Sequence, residues 1–124
     1  MAPRHYLQFT DLTRDEYEHL AARAGKLGGV IRDGLAARLA GLTGVSEIRG
    51  KGLMIGIELD RSCGDLVERG LEAGLLINVT ADTVVRLLPP LNMKDAEVQL
   101  LIEGVSSVIR TFLTASNANA AVAH

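Results

Sequence analysis

The clearest patterning in the chain is a period-two alternation over residues 53–60. Leu53, Ile55, Ile57 and Leu59 alternate with Met54, Gly56, Glu58 and Asp60. Successive side chains of a strand point to opposite faces, so this spacing predicts a strand with one apolar face. Upstream, Thr13 and Glu16 have the spacing of a capping box, with Leu12 and Tyr17 placed as a hydrophobic staple, and a helix is predicted from there. Leu20, Ala21 and Ala24 continue its apolar face. Gly25, Gly28 and Gly29 then crowd into one turn, and each costs a helix about 1 kcal/mol relative to alanine. The pattern predicts a weak joint there, followed by a second helical piece carrying Val30, Ile31, Leu35, Leu39 and Leu42, with Gly44 as its stop.

The remaining elements follow by the same reasoning. Residues 45–49 form a short strand candidate, and Gly50-Lys51-Gly52 a flexible turn. A helix is predicted over residues 65–73, ended by Gly74. Strands are predicted over 75–79 and 84–88, the second stopped by Pro89-Pro90, because proline cannot donate to a ladder. A last helix is capped by Asn92, has Asp95 against its dipole, and carries Leu101, Val105, Val108, Ile109 and Phe112 on one face. Beyond Leu113 the low-complexity tail is expected to fray. This order predicts an α+β fold, a small, mostly antiparallel sheet of about four strands with helices on one face, preceded by an N-terminal helical segment. The expected organisation is an N-terminal arm and helix over 1–28, the small domain over 29–114, and a flexible tail over 115–124.

Composition narrows the function classes. The chain has 124 residues and a formal charge of −2, with cations scattered along it, which makes no electrostatic case for nucleic acid or an anionic membrane. Cys63 is the single cysteine, so an internal disulfide and a thiolate zinc site are excluded. No leader-like run opens the chain and no apolar run nears spanning length, so a cytoplasmic protein is expected. His5, His19 and His124 lack partners at ligand spacing, and no metal is expected. Gly50, Gly52 and Gly56 mimic a dinucleotide fingerprint, but the spacing is one residue too long and a strand follows where a helix is needed. Ser62-Cys63 has no nearby base, and a structural thiol is the expectation.

Arg86 stands out, inside the apolar run Val84-Val85-Arg86-Leu87-Leu88. A guanidinium cannot shed its charge, so it must reach solvent or an anion, and its planar donors match a carboxylate. The sequence leaves two partners open: an external carboxylate, or an internal ion pair with Glu58. Arg49, on the lip of the glycine turn, is a second candidate, with a solvated turn cation as the plainer reading.

The blocks VSEIRGKGLMIGIELD, RGLEAGLLINVT and ADTVVRLLPPL resemble the C-terminal part of class III, fold-type-I aminotransferases, nearest the acetylornithine aminotransferase group. The resemblance runs from about residue 30 to about 113. It implies amino transfer between acetylornithine and 2-oxoglutarate in arginine biosynthesis, with pyridoxal phosphate as cofactor and active sites shared between subunits of a homodimer. It also implies that Arg86 grips the substrate α-carboxylate. The family's cofactor lysine and phosphate loop lie in a large domain, and Lys26, Lys51 and Lys94 do not stand in the lysine's motif. Residues 4–24 instead resemble the N-terminus of ornithine carbamoyltransferase, which gives the chain a chimeric look.

The expected function is therefore that of an aminotransferase small domain, catalytically incomplete alone, holding no cofactor and binding a substrate carboxylate only weakly. Self-association is expected, and a non-catalytic oligomerisation or interaction module is the alternative.

Overall fold

Seven elements follow one another in the computed structural model, which describes residues 13–122: α1 (Arg14–Leu39), β1 (Val45–Lys51), β2 (Met54–Leu59), α2 (Leu66–Glu72), β3 (Asn78–Thr80), β4 (Val84–Leu87) and α3 (Asp95–Val122). The four strands form one antiparallel sheet in the order β1-β2-β4-β3. The expected α+β architecture is the one observed. The alternation in β2 sends Ile55, Ile57 and Leu59 into the core, where they meet Val85 and Leu87 of β4. Ile31, Leu35 and Leu39 of α1, Leu66 of α2, and Val98, Ile102, Val105, Ile109 and Leu113 of α3 complete the same cluster. All three helices therefore share one face of the sheet, and burying these side chains is the main favourable term in folding.

The glycine-rich joint is the first departure from expectation. α1 runs through it unbroken as a single helix. Gly28 lies against the turn between β1 and β2, where a Cβ would stand 1.8 Å from the Gly52 carbonyl oxygen. The close approach needs a residue without a side chain, and the tertiary contact outweighs the weak helix propensity. Thr13 caps α1 as expected, its Oγ1 accepting from the Glu16 amide at 3.1 Å. Its hydroxyl also donates to Glu16 Oε1, so the return half of the capping box goes to side chain rather than to backbone. The staple partner Leu12 lies outside the described residues. The helix ends at Leu39 with Ala40 as its C-cap, ahead of the Gly44 stop, and Gly41 lies in the left-handed region at φ 77°.

Other boundaries also move. β1 runs on through Gly50 and Lys51, so the tight turn is confined to Gly52 and Leu53. Residues 75–77 are not strand, and Leu76 is 89% exposed; β3 starts only at Asn78. α3 begins at Asp95, and the Lys94 amide donates to Glu97 Oε1 at 3.0 Å, so Asn92 is not its cap. The helix continues past Leu113 to Val122, and Asn117 Nδ2 donates to the Thr43 carbonyl at 3.2 Å. Within Asp95–Asn117 of α3 an 18-residue window reaches a mean hydropathy of 1.3, and the helix has the length to cross a bilayer, more than the sequence reading allowed. Its buried face belongs to the core just described, which identifies it as the core helix of this domain.

Candidate functional site

The pleat that buries one face of the sheet leaves the other face open. On it stand Glu47, Arg49 and Lys51 of β1, Met54, Gly56 and Glu58 of β2, Val84 and Arg86 of β4, and Asn78 and Thr80 of β3. Gly56 is the pivot of this face. Its Cα partners are Arg49 on one side and Arg86 on the other, so one rung of the sheet reads Arg49, Gly56, Arg86, Asn78. With strands about 4.8 Å apart, the two arginine Cα atoms lie about 10 Å apart. Between them opens a cleft of about 300 Å³, lined by Arg49, Lys51, Met54, Gly56, Thr80 and Arg86 among others.

The two arginines are engaged differently. Arg49 Nη1 donates to Glu47 Oε2 at 2.9 Å and to Glu58 Oε2 at 3.2 Å. The hydrogen bond to Glu58, then that to Glu47, raises the guanidinium pKa above its ordinary value. Arg49 thus belongs to β1 and clamps two carboxylates, which replaces the solvated turn cation. Glu58 is also not the partner of Arg86. Arg86 is exposed, its Nη2 donates to the Met54 sulfur at 3.2 Å, and among the described residues it pairs with no carboxylate. A thioether is a weak acceptor, so most of the guanidinium's donor capacity faces the cleft.

Two other features were weighed as sites. A larger cleft of about 790 Å³ lies between the loop before β3, the segment after β4 and α3, with Leu75, Leu76, Leu88, Pro90 and Leu101 on its walls. Its charged lining is Glu97 and Glu103, the wrong sign for a carboxylate ligand. Cys63 is fully buried, and burial, with Asp82 nearby, pushes its thiol pKa up. A protonated buried thiol is not a nucleophile, in keeping with the structural role expected. Its neighbours fasten the loop before β4: the Cys63 amide donates to the Asp82 carbonyl at 2.9 Å, and the Ser62 hydroxyl donates to the Asp82 carboxylate. Among the described residues no metal-ligand cluster occurs.

The same geometry does not suit a pyridoxal-phosphate-like group. Lys26 lines a groove between α1 and the start of α3, Lys94 precedes α3, and Lys51 stands on the open strand β1. The cleft that contains Lys51 is built from strands and a strand end, with no helix N-terminus to receive a phosphate. These residues do not fit the cofactor.

Sequence reasoning found Arg86 and Arg49 but missed Glu47 and the central place of Gly56. The alternation put Gly56 and Glu58 on one face, yet the strand register is what sets them between the arginines.

Comparison with known proteins places this geometry. The family model for aminotransferase class-III matches residues 9–109. Acetylornithine aminotransferase 1 of Bordetella bronchiseptica is 50% identical over 98 residues, 79% of this chain and 25% of that protein. Among solved structures, N-acetylornithine aminotransferase from Stenotrophomonas maltophilia superposes with a TM-score of 0.68 at 29% identity, covering 81% of this chain and 29% of that one. The ornithine aminotransferase of Toxoplasma gondii, whose structure is described as holding PLP at partial occupancy in its active site, gives a TM-score of 0.68 at 33% identity, covering 77% and 24%. The chain thus spans about a quarter of the length of these relatives. The family match begins at residue 9 and runs through α1, and it gives no support to the carbamoyltransferase resemblance over residues 4–24. The chain belongs to the class-III aminotransferase family, in a segment homologous to the C-terminal region of acetylornithine aminotransferase.

Proposed function

We propose that this chain carries the substrate-carboxylate contact of an acetylornithine-aminotransferase-like enzyme and is catalytically incomplete by itself. The observation that supports this most is Arg86, exposed on the open face with a thioether as its one acceptor among the described residues. The reaction proposed for the whole enzyme passes an amino group between N-acetylornithine and 2-oxoglutarate. The cofactor supplies an electron sink for that exchange. This chain's part is to orient a carboxylate: a guanidinium fixed on a strand offers two parallel donors and selects planar anions. A single half-solvated pair contributes about 1 kcal/mol or less, too little to offset the cost of association. Binding of 2-oxoglutarate to the chain alone is therefore no tighter than millimolar. Titration followed by NMR tests the proposal: small, saturable shifts centred on Arg86 and lost in Arg86→Ala are expected. Tight binding, or turnover of acetylornithine and 2-oxoglutarate by the pure chain with added pyridoxal phosphate, overturns it.

A second reading is favoured by the larger cleft. Leu76, Leu88 and Leu100 are 89, 74 and 67% exposed. Apolar surface concentrated this way marks interaction sites, so self-association through this cleft accompanies the first reading. Sedimentation should show mass rising with concentration, and a monomer at high concentration removes this second reading.

A further inference from the structure

We infer that Arg49 is a positioning residue: by holding Glu58, it keeps Arg86 available to a ligand carboxylate. The inference rests on the reading of Arg86 as a carboxylate ligand and adds to it the residue that guards that role.

The argument starts from an unfavourable pairing. Glu47 and Glu58 are direct Cα partners across β1 and β2, and like charges opposite each other repel. One cation relieves this, because Arg49 Nη1 touches both carboxylates, at 2.9 and 3.2 Å. Arg49 lies over the Gly56 position on this face: a Cβ placed there would be in ordinary van der Waals contact with Arg49 Cγ at 3.8 Å and Nε at 3.9 Å.

Glu58 has a second cation within range. Its own partner on β4 is Val84, and Arg86 stands two residues further along, on the rung of Gly56. Diagonal neighbours on one face are about 7–8 Å apart, within reach of long side chains. A Glu58–Arg86 pair would be charge-assisted and could be bidentate in geometry, hence a direct competitor of any ligand carboxylate. The observed arrangement avoids it: Glu58 is turned to β1, and among the described residues Arg86 keeps only the Met54 sulfur. The charged groups facing Glu58 are Glu47, Arg49 and Lys51 from β1 and Arg86 from β4, while β3 presents the uncharged Asn78 and Thr80. Lys51 pairs with Met54 at the far end of β2, so without Arg49 the next cation for Glu58 is Arg86.

The test uses the full chain and pyruvate, a small ligand with one ionised carboxylate. Binding is followed on the Arg86 Nε–H signal in the unaltered protein, Arg49→Met, Arg49→Lys, Glu58→Gln and Arg49→Met/Glu58→Gln. Arg49→Met is expected to weaken binding roughly threefold to fivefold, the size of effect a partly exposed pair exerts. Arg49→Lys keeps most of the affinity, and adding Glu58→Gln to Arg49→Met restores it. Unchanged affinity in Arg49→Met, or a loss that Glu58→Gln does not restore, overturns the inference. If pyruvate does not shift Arg86 in the unaltered protein, the carboxylate reading itself fails. The positioning claim is then decided without ligand: it stands if Arg49→Met moves the Arg86 signal in a Glu58-dependent way, and falls if it does not.

Discussion

The two faces of the sheet are made by the same strands and obey opposite rules. On the covered face Ile55, Ile57, Val85 and Leu87 lie beneath the helices, excluded from water. One residue along, Gly56, Glu58 and Arg86 stand on the open face, where charge is tolerated because solvent reaches it. The covered face carries stability and the open face holds the charged side chains, and a one-residue slip of register would exchange them. The lesson is that a side chain on the open face can be placed for binding, because the fold depends on its neighbours rather than on it.

That contrast is open to direct attack. The largest effect is expected from Ile57→Ala, which should lower unfolding free energy by about 2–5 kcal/mol in urea melts. Arg86→Ala, on the opposite face, should cost less than about 1 kcal/mol. Equal costs would mean that the open face is structural after all. Next come the glycines of α1. Gly28→Ala must push against a backbone carbonyl and should destabilise by about 1–3 kcal/mol. At Gly25 nothing lies within 4 Å of the added carbon, so Gly25→Ala should instead raise stability by up to about 1 kcal/mol through helix propensity. The same melts give both values, and a common sign would refute the contact account of Gly28.

Smaller effects probe ionisation. Cys63 holds its proton more tightly folded than unfolded, because burial raises its pKa. Its contribution is full below the unfolded thiol's value and is lost as pH rises through the folded one. A thiol-specific colour reagent should react with it only on unfolding, and fast labelling of the native chain would contradict this. Asp60 shows the opposite sign. The hydrogen bond from Arg61, at 2.6 Å, holds its pKa below the ordinary carboxylate value, so its contribution is full above the unfolded value and fades as pH falls through the folded one. Because the carboxylate is half exposed, Asp60→Asn should change the acid limb of the stability curve only slightly.

What could be read in advance divides along the same line. The β2 alternation, the Thr13 cap, the Pro89-Pro90 stop and the stripe along α3 are local signals, and each marked an element that exists. Their limits were less legible. Residues 75–77 have strand-like composition, yet Leu76 projects into solvent and Ile77 packs against Gly70 of α2. Arg86 was visible because a cation inside an apolar run is anomalous on its own. Its relation to Glu58 was not, since both an ion pair and its absence suit that sequence.

By itself, then, the sequence determined the periodicities, the breaks between them and the misfit cation, because these depend on residues a few positions apart. The tertiary structure decided that three glycines could remain helical, that Glu58 answers to Arg49, and that Arg86 stays open. Each of these depends on what lies opposite across a strand pair or a helix crossing: the carbonyl of Gly52 beside Gly28, and Gly56 between two arginines. Registers and crossings bring together positions far apart in the chain, and no local pattern carries that information.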